Sequence, residues 1–344
     1  MVLLLFELLG DHLGMAKEEV AGLMEVLGVT FTPVFEDHLL YGLEVQGLDG
    51  EGVETLGNRL GLTRTVGELM VGPVGDAEEL MAKLSETDQS LPEGSFAVRP
   101  KRFKSHFEDV SATELAGSIG AGFDNRVDLD KPDTALDLFL SESLYLTRRF
   151  FSIERRSLEE RRPHLRDHFS PVSLHPKFAR ACINLARCKS NFLDPFCGTG
   201  GFLIEGGLMG LRVYGSDMDQ DMIAGAEDNL KQFGAEEYDL LTLDVGDCSQ
   251  WQEHGDYPKE GFDAVVADPP YGRSSGTAGE EISSIYSRAF ASIGDVIRPG
   301  GYLMMILPGE KDHELAGENF ELIDTFEQYV HGSLSRHYCL FRKR

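Results

Sequence analysis

Four consecutive residues, Asp268-Pro269-Pro270-Tyr271, have the composition of a site that modifies an amine. The two prolines lack backbone N–H groups and restrict the chain, so carbonyl oxygens are left to face a cleft. The Asp268 carboxylate and the Pro269 carbonyl can accept both N–H groups of a conjugated amine, which directs the nitrogen lone pair towards an electrophile. Tyr271 offers a face on which a flipped base can stack. These residues are catalytic candidates for modification of an exocyclic amine in nucleic acid, with a plain Pro-Pro turn as the alternative.

A glycine-rich turn upstream of these residues has the features of a cofactor loop. Gly198 and Gly200 allow a ligand to approach the backbone, and the helix that follows presents free N–H groups. Asp217 ends the next strand nineteen residues after Gly198, where a carboxylate can accept hydrogen bonds from ribose hydroxyls. A dinucleotide is the competing ligand, but Asp194 would place a negative charge near its pyrophosphate. The same charge suits the cationic amino acid part of S-adenosylmethionine, which we therefore predict as the cofactor.

Two further residues are assigned to the adenine end of this cofactor site. Asp247 follows the third strand and could accept the adenine amino group, while the Cys248 backbone N–H could face a ring nitrogen; a helix-capping aspartate is the alternative. Cys197 lies inside the loop, and its small volume explains it better than a nucleophilic role. The cofactor-binding candidates are Asp194, Pro195, Phe196, Gly198, Thr199, Gly200, Asp217, Met218, Asp247 and Cys248.

The elements that must position these residues follow from the hydrophobic pattern. From Asn191 onward, strand-like and helix-like segments alternate, and the strands lack alternating polar residues. That pattern is typical of parallel strands covered by helices on both faces. We predict a Rossmann-like, doubly wound α/β sheet that binds its ligand at the carboxyl ends of the strands. Strands at 320–330 and 337–342 should complete it, the last antiparallel because a short turn around 332–336 joins them.

The preceding half of the chain has a different organisation. Alternating strands and helices over the first seventy residues predict a ferredoxin-like α/β unit. A second α/β unit is predicted after the turn residues Gly72, Pro73 and Gly75. The charged stretch 152–171 has little apolar periodicity and is interpreted as a linker. No segment is long and apolar enough to cross a bilayer.

The net charge of −26 is unevenly distributed along the chain. Residues 1–98 carry 4 basic and 18 acidic side chains, and residues 190–344 carry 11 and 27, whereas residues 144–189 carry 11 basic against 4 acidic. Because phosphate contacts need Lys and Arg, the basic stretch is a candidate nucleic-acid contact, with a solvated helix face as the alternative. The acidic remainder would suit a salt-rich cytoplasm. Five cysteines without paired spacing predict neither a metal site nor a disulfide framework, which favours the cytoplasm.

Several further segments resemble the archaeal tRNA (guanine-10-N2)-methyltransferase family. They are Arg161-Arg162-Pro163-His164, Ser173 to Lys177, Ala179-Arg180 and Phe96 to Arg102. The resemblance covers about residues 50–344. It implies a THUMP domain that grips the tRNA acceptor end, and conversion of guanine at tRNA position 10 to N2-methylguanosine and then N2,N2-dimethylguanosine. It also implies a hairpin turn near the active site at Gly332 to Arg336, with Ser335 where the family suggests Thr.

This resemblance divides the chain into a ferredoxin-like unit (1–50), a THUMP RNA-binding domain (51–151), a linker (152–171) and a Rossmann-like methyltransferase domain (172–344). It implies tRNA as the partner. We also expect a monomer, and a small activator protein is a further candidate that the sequence does not itself indicate. The RNA-binding candidates are Arg99, Lys101, Arg102, Arg148, Arg149, Arg155, Arg156, Arg161, Arg162 and Arg336.

Other functions remain open at this stage. A guanine-N2 methyltransferase acting at tRNA position 6 or on ribosomal RNA would share the site. A DNA adenine-N6 methyltransferase would also share it, although no large target-recognition insertion is evident. A protein glutamine N5-methyltransferase usually has Asn where Asp268 stands. A silent RNA-binding factor is disfavoured because Asp194, Asp217 and Asp268 are all present.

Overall fold

The structure is a computed structural model that describes residues 1–87, 90–169, 173–272, 280–331 and 334–344. Contacts divide the chain into two units. The first unit contains residues 1–13, 29–57 and 63–153, and the second contains residues 14–28, 58–62 and 154–344. Within the described residues, no helix has both the length and the apolar composition needed to span a membrane.

The described strands of the first unit form one mixed sheet of eight. They are β1 (Val2–Leu8), β2 (Thr30–Asp37), β3 (Leu40–Gln46), β4 (Thr63–Val74), β5 (Ser95–Arg102), β6 (Arg126–Val127), β7 (Thr134–Leu140) and β8 (Leu144–Ser152). Their order is β2-β3-β1-β4-β8-β7-β5-β6, and β5 runs parallel to β6 and β7 while the other pairs are antiparallel. Helices α3 (Ala77–Glu86) and α4 (Ala112–Gly120) pack apolar side chains against the half of the sheet that contains β4, β8, β7 and β5.

The sheet differs from the predicted separation of residues 1–50 and 51–151. β1 pairs with both β3 and β4, so backbone hydrogen bonds join the two stretches. Helix α1 (Leu13–Leu27) lies mainly in the second unit, and helix α2 (Gly50–Arg59) ends there. Hydrophobic periodicity marks where strands and helices occur but does not specify which strands pair, so the pattern could not show that the two stretches share one sheet.

A buried carboxyl group fixes α1 within the second unit. Glu19 is 0% exposed, and its oxygens accept hydrogen bonds from the backbone N–H groups of Gly61 (2.7 Å) and Leu62 (2.8 Å). The amide of Asn184 donates to it as well, at 3.0 Å. Burial raises the pKa of Glu19 to about 7, because the charged form loses hydration that these hydrogen bonds only partly replace.

The second unit contains the predicted doubly wound sheet. Its strands are β9 (Asn191–Asp194), β10 (Arg212–Asp217), β11 (Tyr238–Thr242), β12 (Phe262–Ala267), β13 (Ile297–Leu307), β14 (Phe320–His331) and β15 (Leu334–Lys343). The order is β11-β10-β9-β12-β13-β15-β14, with the first five strands parallel and β15 antiparallel to both neighbours. The parallel architecture and the antiparallel last strand are therefore confirmed.

Helices cover this sheet and give it its core. They are α6 (Pro176–Leu185), α7 (Gly201–Leu208), α8 (Gln220–Phe233) and α9 (Ile282–Val296), with short 3-10 segments at Val245–Glu253 and Asp312–Asn319. Buried aromatic rings stack edge to face between the sheet and its covering layer, with Tyr214 contacting both Trp251 and Phe262. These three rings are almost completely buried and form part of the core of the second unit.

The predicted linker is more ordered than its composition suggests. It contains helix α5 (Arg155–Glu160) and a 3-10 turn at Pro163–Leu165, while residues 170–171 lie outside the described part of the chain. Arg161 and Arg166 in this stretch are 8% and 4% exposed. Some of its charged side chains are therefore buried in the protein rather than exposed to solvent. A high content of charged residues is thus not sufficient to identify this stretch as a linker.

Candidate active site

Three carboxyl groups lie at the same edge of the parallel sheet. Asp194 and Asp217 are the last residues of β9 and β10, and Asp268 directly follows β12. Because β10, β9 and β12 are adjacent and parallel, their carboxyl ends meet at one edge. This is where doubly wound sheets bind ligands.

The loop after β9 depends on two left-handed glycines. Gly198 has φ +50° and Gly200 has φ +84°, values at which a side chain would be strained. The Gly198 N–H donates to Asp217 Oδ2 at 3.0 Å, which ties the loop to the end of β10. Cys197 is buried, and burial raises the pKa of its thiol well above the usual value. A neutral, enclosed thiol fits the predicted space-filling role rather than a nucleophilic one.

The carboxyl groups of Asp217 and Asp194 keep acceptor capacity for a ligand. Asp217 also accepts the Asp219 N–H at 3.0 Å, so each of its oxygens carries one backbone bond and retains a lone pair. Asp194 accepts the Phe196 N–H at 3.1 Å. Burial raises the pKa of both carboxyls, and the charge of Asp268 adds to the effect on Asp194. A cationic ligand group beside Asp194 would relieve this cost.

Two cavities open along this edge. The larger, of 390 Å³, has a volume within the ~300–1,000 Å³ typical of small-molecule sites. The predicted residues that line it are Pro195, Phe196, Gly198, Asp217, Met218, Asp268 and Pro270. A smaller cavity of 140 Å³ is lined by Asp194, Thr199 and Gly201, and shares Phe196, Gly198 and Asp268 with the first. The left-handed glycine cradle and the available carboxylate oxygens fit the predicted adenosine cofactor.

The adenine end of the larger cavity differs from the prediction. Asp244 and Val245 line it, whereas Asp247 is exposed and absent from its lining. The Cys248 N–H donates to Ser292 Oγ at 2.9 Å and so does not face a ligand. The chain enters a 3-10 turn soon after β11, which places Asp247 and Cys248 outside this lining, and their roles at the adenine stay a prediction. Asp244, two residues after β11, lines the cavity and pairs with Arg288 on α9.

Asp268 lies in a small polar cluster. The Tyr271 hydroxyl donates to Asp268 Oδ1, and the positive charge of Arg336 acts on the same carboxylate. Burial raises the pKa of Asp268 to about 6, while Arg336 and Tyr271 partly oppose the increase. Arg336 was predicted as an RNA contact, but it reaches this site because β15 begins where the parallel strands end. The other end of the predicted hairpin turn, Gly332 and Ser333, lies outside the described residues.

A residue missed by the sequence interpretation supports the Pro-Pro turn. The Tyr286 hydroxyl on α9 donates to the Pro270 carbonyl at 2.9 Å. Pro269 is buried beside it. Tyr286 is itself fully buried, so its bond holds the turn from inside the protein. No local sequence signal links residues so far apart along the chain, since only packing of α9 on the sheet brings them together.

The basic candidates of the first unit are largely engaged within it. Arg102 donates to the carbonyls of His106, Phe107 and Val110. The other four pair as follows: Lys101 with Glu7, Arg148 with Glu68, Arg149 with Asp137, and Arg99 with the Leu129 carbonyl. These side chains are partly buried.

The basic candidates of the second unit divide into two groups. Arg161 is buried and pairs with Glu205, so its role is structural. Arg162 is half-buried beside Glu159, while Arg155 and Arg156 are exposed. Arg156 pairs with Glu160 on the surface, an interaction that solvent largely screens. Arg155 and Arg156 therefore remain the most accessible of the predicted phosphate contacts in the described part of this unit.

The fold and site define a Rossmann-like, S-adenosylmethionine-dependent methyltransferase. The RMKL-like methyltransferase domain family matches residues 163–337. The solved structure of TrmN from Thermus thermophilus is similar in fold, with a TM-score of 0.55 over 99% of this chain and 100% of that one, at 19% identity.

Curated relatives specify the family. The tRNA (guanine(10)-N2)-dimethyltransferase of Pyrococcus abyssi is 33% identical over 98% of this chain and 99% of its own length. The enzyme of the same name from Methanothermobacter thermautotrophicus is 32% identical over 95% of each chain. This chain belongs to the tRNA (guanine(10)-N2)-dimethyltransferase family.

Proposed function

We propose that this protein transfers methyl groups from S-adenosylmethionine to the exocyclic N2 of guanine 10 in tRNA, forming N2-methylguanosine and then N2,N2-dimethylguanosine. The observation that carries the proposal is the position of Asp268, whose carboxylate belongs to the walls of both cavities at the carboxyl edge of the sheet. An amine bound to this carboxylate would therefore lie beside the donor. Family membership selects guanine N2 among the amines that this chemistry could modify.

The chemistry that the residues perform follows from the weakness of a conjugated amine as a nucleophile. S-adenosylmethionine, when bound, supplies an electrophilic methyl group. Asp268 and the Pro269 carbonyl accept the amine N–H groups, which reduces delocalisation of the nitrogen lone pair into the ring. As the C–N bond formed and the methyl–sulfur bond of the donor broke to leave S-adenosylhomocysteine, the nitrogen would gain positive charge, which the Asp268 carboxylate would stabilise. The same carboxylate then takes the proton, and a pKa of about 6 keeps it ionised at neutral pH while leaving it more basic than an ordinary aspartate.

The polar cluster around Asp268 supports this assignment. Tyr271 and Arg336 stabilise its charged form, so the carboxylate remains available despite burial. Tyr286 holds the Pro270 carbonyl and thereby the adjoining backbone. Dimethylation is chemically consistent with this arrangement, because a monomethylated amine still carries one N–H for the carboxylate to accept. Tyr271 is proposed to present its ring to the target base.

We further propose that the first unit contains the RNA-binding module, corresponding to a THUMP domain over residues 51–151. Its mixed α/β sheet with α3 and α4 on one half is compatible with this role. In the second unit, the exposed Arg155 and Arg156 are the proposed phosphate contacts. The five cysteines are free thiols, which fits the proposed cytoplasmic location of a tRNA-modifying enzyme.

The experiment uses an unmodified tRNA transcript, S-adenosylmethionine labelled in its methyl group, and purified protein. Digestion and mass spectrometry should find N2-methylguanosine early and N2,N2-dimethylguanosine later, both at position 10. A transcript with adenine at position 10 is the matched substrate control and should accept no label. Label at position 6, in ribosomal RNA or in DNA adenine would contradict the proposed target while leaving methyl transfer intact. Transfer by the Asp268→Ala variant at the wild-type rate would contradict the proposed mechanism.

A further inference from the structure

Arg336 lies between two tyrosine hydroxyl groups. Its half-buried guanidinium is within hydrogen-bonding reach of the hydroxyls of Tyr271 and Tyr338. A guanidinium carries only donors, so each hydroxyl oxygen can only accept from it. The hydrogen atom of each hydroxyl is therefore directed at another group.

Both hydroxyl hydrogens have partners that agree with this direction. Tyr338 donates to Gln328 Oε1 at 2.7 Å, and Tyr271 donates to Asp268 Oδ1. These bonds and the guanidinium between them form one chain, which runs from the edge strand β14 to the carboxylate of the active site. Hydrogen bonds in such a chain polarise one another, so the central cation makes the Tyr271 hydroxyl a stronger donor.

The pairing of β15 explains why Arg336 occupies this position. The residue after Arg336 pairs with Leu307, the last residue of β13, so Arg336 lies just beyond the carboxyl end of that strand. On its other side, Arg336 is opposite Gln328 of β14. Tyr338 follows two residues later and points to the same face of the sheet. It is fully buried and stacks on Phe178 of α6 with 6.1 Å between the ring centroids, which fixes one end of the chain.

Arg336 is also the cation that acts on Asp268. The other titratable groups that interact with this carboxylate, apart from Tyr271, carry no positive charge. They are Asp194 on β9, Cys182 on α6, Tyr286 on α9 and Tyr338 on β15. The charge of Arg336 lowers the pKa of Asp268 and so opposes the increase that burial causes.

The bond from Tyr271 distinguishes the two carboxylate oxygens of Asp268. Oδ1 accepts the tyrosine hydroxyl, whereas Oδ2 accepts no hydrogen bond from the residues that the structure describes. A carboxylate that is held at one oxygen keeps the lone pairs of the other for a ligand. Oδ2 is therefore the oxygen that can accept an N–H of an amine.

We propose that Arg336 is a positioning residue for methyl transfer: it fixes the Tyr271 hydroxyl on Oδ1 of Asp268 and thereby leaves Oδ2 ionised and directed at the amine of the target base. The inference rests on the proposed function, because it concerns the acceptor carboxylate of that reaction. It differs from the RNA contact predicted for Arg336 from the sequence, and experiment can separate the two roles.

The first test measures single-turnover methyl transfer to unmodified tRNA between pH 5 and 9, together with tRNA affinity. Arg336→Met removes the opposing charge, so it should raise the pKa of Asp268 and move the acidic limb up by about one pH unit or more. The loss of rate should then be about fivefold greater at pH 6 than at pH 9. Affinity for tRNA should not change. Lys231→Met removes an exposed cation on α8 and should alter neither quantity.

The second test asks whether Arg336 acts through Tyr271. In a Tyr271→Phe background the chain is already broken, so Arg336→Met should reduce the rate by a smaller factor than it does in the wild type. Tyr286→Phe removes the support of the Pro270 carbonyl instead. Its effect should multiply with that of Arg336→Met, because the two side chains hold different groups.

Three results would overturn the inference. An unmoved limb with weaker tRNA binding in Arg336→Met would make Arg336 an RNA contact. An equal factor in the wild-type and Tyr271→Phe backgrounds would show that the two residues act separately. Arg336→Lys keeps the charge without the planar fork and is the second variant if melting temperatures show that Arg336→Met does not fold. It should lower the rate at every pH, so a wild-type profile in this variant is the third contrary result.

Absence of methyl transfer to tRNA by the wild-type protein would instead contradict the proposed function. That result is visible before any variant is compared, so failure of the proposed function and failure of this inference are distinguishable.

Discussion

The protonation of Asp268 should control the rate of methyl transfer. With a pKa of about 6, this carboxyl is about nine-tenths ionised at pH 7 and about one-tenth ionised at pH 5. If the ionised form is required, the rate should fall about tenfold for each pH unit below 6, whereas an ordinary aspartate would remain ionised until about pH 4. The assay is single-turnover transfer of labelled methyl to tRNA between pH 4.5 and 8.5, which measures this acidic limb of the pH–rate profile.

The neighbours of Asp268 provide a second check on the same reasoning. The Tyr271 hydroxyl lowers the pKa of Asp268, so Tyr271→Phe should raise that pKa and move the limb to higher pH. Asp268→Ala should remove the limb and reduce the rate by about 10²- to 10⁴-fold. Binding of tRNA and of S-adenosylhomocysteine, measured over the same pH range, controls for loss of structure. A limb near pH 4 in the wild type, or one that Tyr271→Phe moves downward, would refute the proposed role of Asp268.

Three further predictions concern the donor site, the RNA contact and stability. Asp244→Ala should weaken binding of S-adenosylhomocysteine about tenfold, whereas Asp247→Ala should leave it unchanged. Calorimetry that shows the reverse order would support the assignment of Asp247 to the adenine amino group. Charge reversal of Arg155 and Arg156 to Glu should weaken tRNA binding in a filter assay and spare donor binding; equal loss of both would contradict a phosphate contact. The pKa of Glu19 is raised to about 7 from 4.5, so its native form binds the proton more tightly than the unfolded chain, and stability should decline as the pH rises from about 4.5 through 7. Glu19→Gln should reduce that decline by up to about 3 kcal/mol in urea unfolding at pH 5 and 8, and an identical slope in both proteins would show that Glu19 does not titrate as inferred.

Much of the architecture followed from local patterns. The strands predicted at 320–330 and 337–342 are present as Phe320–His331 and Leu334–Lys343. By contrast, α6 and α5 were not predicted, since His175 and Pro176 were considered as a family motif rather than as a helix start. The pattern also could not show that β1 and β4 pair, because pairing depends on partners distant in the sequence.

The sequence by itself determined the type of chemistry. Strand ends that carry Asp194, Asp217 and Asp268, separated by glycine and proline, predict a nucleoside cofactor and an amine acceptor wherever the parallel strands are adjacent. The tertiary structure determined which other side chains lie beside these carboxyl groups. Asp244 rather than Asp247 lines the cavity because a 3-10 turn redirects the chain, and Arg336 acts on Asp268 because an antiparallel strand starts at the active edge. Electrostatic effects of this kind depend on distance and burial, and neither is encoded in residue spacing along the chain.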